Sequence, residues 1–460
     1  MKGRSLHFIG IGGAGMSGLA LVCAGLGARV SGSDRTESSY LQRLRDAGIE
    51  PHLGHDAEQV PADAEVVIST AIAEDNPELL RARERDQPLI HRGELLAELC
   101  GRRRLLAIAG THGKTTTAAM CIWALRAAGG DPAFFLGGEL PGAGPGGTPT
   151  NAAWGEGAWV IAEADESDAS FLRLRPEVAV ITNLELDHHS RWSSLAELSE
   201  AFAAFAAPSG ALVTGADVRL PGQEAQRVIR YALEPGPDEP AAEADLLATG
   251  IEAIEGGGVR FRASGAGIDT GVRLRVPGRH NVANAIAALG GLAAAGADAG
   301  ACAEALGDFP GVARRLEVKG ERNGAWIYDD YAHHPTEVAA TLEAARALRP
   351  DRLIAVFQPH LYSRTKALAT ELGAALAGAD EVAVLDVYPA REEPLAGVSG
   401  LIVAQAAADH AGGRRVWWLP TAEAVARAFG PRLRQGDLLI TIGAGDIHKL
   451  AEELVDGGGR

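Results

Sequence analysis

The sequence predicts an α/β protein of three domains: an N-terminal Rossmann-like parallel sheet, a central P-loop-type α/β domain and a C-terminal Rossmann-like α/β domain. Three observations carry the prediction. The 460 residues exceed what one ordinary core organises. Short apolar runs alternate with helical patterns along the chain, which is the rhythm of βα units on a parallel sheet. Three of these runs end in distinctive turns, at 10–15, 110–116 and 329–335, and each turn leads into a helical pattern. Breaks near 103 and 312 set the expected domains at 1–103, 104–312 and 313–460.

The elements follow in order. Residues 6–11 (LHFIGI) are an apolar strand, followed by a glycine turn and a helix to about residue 27. Residues 28–33 and 66–70 read as further strands. After Arg102, Arg103 and Arg104, residues 105–110 (LLAIAG) form a strand, GTHGKT a loop, and 116–129 a helix. Residues 158–164 and 178–184 are buried strands, while the Gly/Pro-rich stretches 141–150 and 234–243 are loops. Residues 258–263 and 271–276 alternate apolar and polar, as half-exposed antiparallel strands do. In the last domain, WIYDDY, a helix over 335–348, and strands at 352–358, 381–387 and 437–443 restore the βα rhythm.

The composition is that of a soluble globular protein, 47% hydrophobic and 22% charged, with 58 glycines suited to tight strand–helix turns. The formal net charge of -17 argues against nucleic acid as a partner, since a phosphate backbone needs clustered cations. The lysines are Lys2, Lys114, Lys319, Lys366 and Lys449. Cys23, Cys100, Cys121 and Cys302 are scattered, which excludes a disulfide framework or a Cys-based zinc site and fits a reducing compartment. Lys2 and Arg4 before an apolar stretch imitate a signal peptide, but Gly10, Gly12, Gly13, Gly15 and Gly18 break the helix such a peptide needs. No run of about 18 apolar residues occurs. A cytoplasmic protein without membrane contact is expected.

Seven motifs carry chemistry. Gly10-Ile11-Gly12-Gly13-Ala14-Gly15 lies between strand and helix, and Asp34 ends the next strand. Such glycines let backbone approach a pyrophosphate at a helix N-terminus, and the acid can reach a ribose hydroxyl. Gly110-Thr111-His112-Gly113-Lys114-Thr115-Thr116 can cradle ATP phosphates, with Lys114 neutralising charge and Thr115 offering a hydroxyl to Mg²⁺. Its spacing is shorter than the general P-loop, because Ile108 stands where a glycine would. Glu163-Ala164-Asp165-Glu166-Ser167-Asp168 and Thr182-Asn183-Leu184-Glu185-Leu186-Asp187-His188-His189 end neighbouring strands, where carboxylates and imidazole can bind Mg²⁺. Asn281 and Asn284 share a helix face and suit either adenine or, for Asn281, a helix cap. Asp329-Asp330-Tyr331-Ala332-His333-His334-Pro335 and Phe357-Gln358-Pro359-His360-Leu361-Tyr362-Ser363-Arg364-Thr365 cluster His, Tyr and Arg at strand ends, where open α/β sheets bind ligands.

GTHGKTTT, EADESD, TNLELDHH, PGRHNVANAIAA and DDYAHHPTE, in this order and spacing, resemble the Mur ligases. The resemblance spans almost the whole chain and implies a UDP-binding domain, a central ATPase and a C-terminal α/β domain. HFIGIGGAGMSGLA at 7–20, SGSD at 31–34, SDASFLRL at 167–174, FQPHLYSRT at 357–365, VYPAREEPLAGVSG at 387–400 and TIGAGDI at 441–447 are similar to the branch that adds L-alanine to UDP-N-acetylmuramate. A sibling branch adds a tripeptide to the same nucleotide. Leu361 stands where many alanine-adding members have Arg, which removes one cationic contact.

The resemblance implies that the substrate carboxylate attacks the ATP γ-phosphate and that the alanine amine then attacks the acyl phosphate. It implies a catalytic set of Lys114, His188, Arg315 and His333. ATP falls to Gly110, Thr111, His112, Gly113, Lys114, Thr115, Thr116, Asn281, Asn284, Arg315 and Asp330. The UDP end falls to Gly12, Gly13, Asp34 and Ser69. Tyr331, His333, His360 and Arg364 line the acyl-substrate and alanine site. Thr115, Glu163 and His188 hold two Mg²⁺ ions. His189 and His334 are the one-residue alternatives to His188 and His333. The expected state is a monomer or weak homodimer. No lysine lies between Lys114 and Lys319, so the carbamoylated lysine of several siblings has no counterpart here.

Two other readings compete. A nicotinamide-dependent dehydrogenase accounts for GIGGAG and Asp34 but leaves everything after residue 105 unexplained. An ATP-binding scaffold of the same fold has no need of Lys114, Glu163 and His188 together.

Overall fold

A computed structural model describes residues 1–187, 191–222, 227–236, 242–390 and 392–457. The packing divides the chain into two compact units. The first comprises Met1–Gly250, Phe261–Arg273 and Ala283–Phe309; the second comprises Ile251–Arg260, Leu274–Val282 and Pro310–Arg460. The first unit holds the N-terminal sheet together with most of the central sheet.

The N-terminal sheet has five parallel strands in the order His52–Leu53, Arg29–Asp34, Ser5–Ile9, Glu65–Ile68, Leu89–His91. Ser5–Ile9 is buried along its whole length, as a central parallel strand covered on both faces must be. It stops at Ile9 because Gly10 turns the chain with a φ of 78°. His7 within this strand is fully buried, and its two ring nitrogens meet Ser31 Oγ at 2.9 Å and Glu78 Oε2 at 3.2 Å. The strand order reverses between Ser5–Ile9 and Glu65–Ile68, so a crevice opens at their C-terminal ends.

The central sheet has ten strands, in the order Ile268–Leu274, Val259–Gly265, Leu246–Ala253, Arg227–Leu233, Ala211–Gly215, Val178–Ile181, Arg104–Ala109, Trp159–Glu163, Ala133–Leu140, Thr150–Ala153. Arg104–Ala109 lies parallel between Val178–Ile181 and Trp159–Glu163, which brings the loops after all three to one edge. Val178–Ile181 is shorter than expected. The Thr182 amide still donates to Ala109 O at 3.0 Å, but its carbonyl accepts the Tyr231 hydroxyl at 2.7 Å instead of a strand amide. Val259–Gly265 and Ile268–Leu274 show the alternating burial their sequences predict. The stretch 141–150 remains a loop apart from a single helical turn at Pro145–Gly147, and its last residue opens a strand. Of the second expected loop, residues 237–241 lie outside the described residues.

In the second unit a six-stranded sheet runs Glu317–Arg322, Ala325–Asp330, Asp437–Ile442, Arg352–Phe357, Glu381–Val384, Arg415–Trp418. It is parallel except at the first, antiparallel edge strand. Asp437–Ile442 is buried throughout and carries helices packed on both faces through Leu438, Leu439, Ile440 and Ile442. Among the described residues, no helix is long and apolar enough to cross a membrane.

Candidate active site

The first unit carries two strand–loop–helix turns. In the N-terminal sheet, the amides of Gly10 and Ile11 donate to Ser33 O at 2.8 and 2.9 Å, which ties the turn to the neighbouring strand. Gly12 N donates to Asp34 Oδ2 at 2.9 Å, and a Cβ at Gly12 would meet the same oxygen at 2.9 Å. Gly13 caps the helix Ala14–Gly25 without a side chain, leaving its first-turn amides open to a ligand. Ser69 begins a turn whose Ile72 packs beside Gly10. The fold therefore gathers Gly12, Gly13, Asp34 and the Ser69 turn at one crevice.

The phosphate loop of the central sheet is held more tightly. Gly110 has a φ of 129°, and a Cβ there would lie 2.1 Å from Thr182 Oγ1. Gly113 is left-handed at φ 77°, and its Cβ would lie 2.3 Å from Asn284 Oδ1. Only glycine fits either place. His112 N donates to Asn183 Oδ1 at 2.8 Å, and Asn183 Nδ2 donates back to His112 O at 3.0 Å. Thr111 and Glu185 exchange two hydrogen bonds of 2.9 Å. His112 Nε2 also meets Glu185 Oε2 at 3.3 Å.

Lys114 opens the helix Lys114–Ala127 and turns its ammonium back over the loop, donating to Gly110 O at 2.7 Å, Thr111 O at 3.1 Å and Glu166 Oε2 at 2.8 Å. The carboxylates of Glu166, Asp165 and Glu163 hold the ammonium in its charged form against its burial. Thr115 Oγ1 donates to Glu163 Oε1 at 2.9 Å, while Gly137 N holds Glu163 Oε2 at 2.8 Å. A hydroxyl and a carboxylate converging beside a phosphate loop form an oxygen-only donor set, which fits Mg²⁺. Thr116 is buried within the helix start. Asn284 faces the loop itself, since Thr117 Oγ1 donates to its Oδ1 at 3.3 Å. His188 and His189 lie outside the described residues.

The remaining candidates belong to the second unit. Asn281 is buried and donates through Nδ2 to Pro277 O at 2.8 Å, a local bond that ties it to the turn before its helix. Arg315 stands between two non-glycine residues in the left-handed region, Arg314 at φ 61° and Leu316 at φ 47°. Its guanidinium lies 5.2 Å from the Tyr331 ring centroid and 3.9 Å from Glu337 Oε1. Asp330 accepts Leu316 N at 2.7 Å and Ala332 N at 2.8 Å, so its carboxylate fixes the backbone on both sides of the turn. Burial pushes its carboxyl up to about 6. Buried His280 is pushed down to about 4 by desolvation, then by Arg315, and is neutral near pH 7.

Tyr331, His333, His360 and Arg364 do come together. The His333 ring meets the Tyr331 ring edge-on at 5.5 Å and the His360 ring at 6.2 Å. Arg364 Nη1 lies 3.4 Å from His360 Nδ1. His333 Nδ1 sits 3.0 Å from Tyr331 O, whereas His334 is the N-cap of the helix Pro335–Ala347. Leu361 holds φ 69° at the head of the next helix.

Three groups had no role assigned from sequence. Glu166 grips Lys114, Asn183 clamps the phosphate loop, and Tyr388 stacks on His360 at 5.8 Å with ring planes 12° apart. Glu166 and Asn183 lie inside motifs that are conspicuous in the sequence, but nothing local says which acid or amide turns inward.

Comparison with known proteins extends the match to nearly the full chain. A Mur ligase family catalytic-domain model matches residues 5–104, a Mur ligase middle-domain model residues 108–292, and a Mur ligase, glutamate ligase domain model residues 314–445. The UDP-N-acetylmuramate–L-alanine ligase of Rubrobacter xylanophilus is 46% identical, over 98% of this chain and 99% of its own. That of Streptomyces griseus is 43% identical, over 98% and 96%. The crystal structure of UDP-N-acetylmuramate-alanine ligase from Thermotoga maritima superposes with a TM-score of 0.84 at 27% identity, covering 98% of both chains. A murein peptide ligase from Psychrobacter arcticus shares the fold at a TM-score of 0.73 and 24% identity, covering 100% of this chain and 99% of its own.

Proposed function

The chain belongs to the Mur ligase family, and we propose from that premise how its residues divide the work. It is an ATP-dependent ligase that joins the carboxylate of UDP-N-acetylmuramate to L-alanine through an acyl phosphate, releasing ADP and phosphate, in peptidoglycan precursor synthesis. The observation that carries the reading is the phosphate loop after Arg104–Ala109, whose Lys114 and Thr115 converge with Glu163 from the end of the paired strand Trp159–Glu163.

The chemistry explains the parts. A carboxylate is a poor acyl donor, so phosphorylation must supply a leaving group. The protein's share is alignment and charge neutralisation. Lys114 and the amides of Gly110–Thr116 would hold the ATP phosphates. Thr115, Glu163 and His188 would hold Mg²⁺, which supplies further charge neutralisation when bound, and two such ions suit the charge on the phosphoryl group being transferred. Arg315 would reach the γ-phosphate. Asn281, Asn284 and Asp330 would serve the adenosine end, although Asn284 and Asp330 also brace protein backbone or loop. Gly12, Gly13, Asp34 and Ser69 would bind the UDP end, and Tyr331, His333, His360 and Arg364 the alanine and the reacting acyl group.

The domains assigned to these tasks are 1–103, 104–312 and 313–460. The partners are small molecules, and the protein works in the cytoplasm as a monomer or weak homodimer. A surface of net charge -17 speaks for that solubility and against nucleic acid.

The test is phosphate release from ATP, Mg²⁺ and UDP-N-acetylmuramate with L-alanine or with the tripeptide L-Ala-γ-D-Glu-meso-diaminopimelate. Turnover with L-alanine and little with tripeptide is expected. The reverse preference would move the protein to the tripeptide-adding branch.

A further inference from the structure

The Lys114 ammonium has three hydrogen-bond donors. Two go to the loop's own carbonyls, Gly110 O and Thr111 O, and the third goes to Glu166 Oε2 at 2.8 Å. Glu166 is 1% exposed and cannot turn to solvent. Its carbonyl accepts Trp192 Nε1 at 3.2 Å and Ala169 N at 3.1 Å, so its backbone is fixed from two sides. The cation that a phosphate needs is therefore already paired with an immobile carboxyl group from another loop, 52 residues along the chain, which burial pushes up to about 7 against the opposing pull of Lys114.

We propose that Glu166 is a positioning residue that stands in for nucleotide phosphate at Lys114. It holds the ammonium over the loop while the nucleotide is away, and it competes with bound phosphate for that ammonium. The inference rests on the reading that Gly110–Thr116 binds ATP and ADP.

The physical argument has two parts. A lone ammonium at this depth would be costly, and a fixed carboxylate removes the cost without recruiting an outside anion. Once a phosphate oxygen reaches the same ammonium, it lies close to the Glu166 carboxylate in a site with little water, where like charges repel strongly. That repulsion weakens nucleotide binding as a whole. Uniform tight binding does not speed the chemical step, and it slows departure of ADP. Glu166 thus keeps Lys114 charged and in place while keeping the product exchangeable.

The experiment is a two-by-two cycle on the full chain: wild type, Glu166→Gln, Lys114→Met and the double variant, each titrated calorimetrically with ADP in Mg²⁺ buffer. Glu166→Gln is expected to bind ADP about tenfold more tightly, on the scale of a close charge contact. Its kcat is expected to fall as ADP release slows, with no change in KM for UDP-N-acetylmuramate. In the Lys114→Met background the same substitution is expected to do nothing. Unchanged or weaker ADP binding by Glu166→Gln, or a tightening that persists without Lys114, overturns the proposal. Should the Gln variant not fold, Glu166→Asp retracts the charge by one methylene; it is expected to tighten ADP binding by a smaller factor, and no tightening overturns the idea. A wild-type protein that does not bind ADP at all would instead sink the reading of the loop.

Discussion

The turn at Gly10–Gly13 and the turn at Gly110–Thr116 both leave a buried parallel strand and enter a helix, yet only the second has a cation within its own sequence, the first having Arg92 Nη1 3.6 Å from where a Cβ at Gly15 would stand. At the first turn the nearest fixed charge is Asp34, and it is spent on the Gly12 amide. At the second, Lys114 faces three carboxylates, and Thr115 meets Glu163. Backbone constraint differs as well. Gly13 sits at φ -70°, open to any residue, whereas Gly113 sits at φ 77° against Asn284. Under the proposed function, the difference matches the work assigned to each turn. A turn that only holds a nucleotide can rely on amides and a helix N-terminus. A turn where phosphoryl transfer begins must handle changing charge, and needs groups fixed beforehand.

The sharpest way to break the comparison is Lys114→Ala. Removing the cation is expected to lower kcat by about 10²–10³-fold, the scale for a lost charge-stabilising group. Steady-state phosphate release at saturating substrates measures it, and a loss below fivefold would mean that the turn works by amides alone, like its counterpart.

Next in size is a matched pair. Gly113→Ala forces a side chain into a left-handed position and into Asn284, and is expected to cost about 2–3 kcal/mol of stability. Gly13→Ala meets Gly10 O at 3.5 Å and Met16 Cγ at 4.0 Å, both ordinary contacts, and is expected to cost about 1 kcal/mol or less. Thermal unfolding without ligands compares them, and equal losses would erase the distinction in backbone constraint.

The smallest effect is expected from Asp34→Asn, which replaces one carboxylate oxygen with an NH2 group, removes the charge and leaves a single neutral acceptor for Gly12. KM for UDP-N-acetylmuramate should rise about tenfold, the loss of roughly one charge-assisted hydrogen bond, while KM for ATP stays unchanged. A matching rise in both would show that the two turns do not act separately.

Much of this was legible because it is local. The glycines, Lys114 and Thr115 lie within a few residues, and their spacing after an apolar strand states what the backbone must do. His333 and His360 were legible as candidates for the same reason, each following the end of a strand, and the fold brings their rings within 6.2 Å. The parts that were not legible depend on distant neighbours. Asp330 stands in a conspicuous motif, but its double hold on Leu316 N and Ala332 N follows from how strand and turn meet. Asn284 reads as an adenine ligand in the sequence, and nothing local signals that it also takes the Thr117 hydroxyl, 167 residues away.

The sequence by itself determined the α/β class, the three sheets, and which turns are candidates for phosphate chemistry, because strand periodicity and glycine turns are properties of neighbouring residues. The tertiary structure alone decided which acid meets which cation. Glu163, Asp165, Glu166 and Asp168 are near-equivalent in a string of letters. Once Trp159–Glu163 is laid parallel to Arg104–Ala109, the strand's end puts Glu163 against Thr115 and the following turn buries Glu166 against Lys114. Charge interactions depend on distance and burial, and those are fixed only when the strands pack.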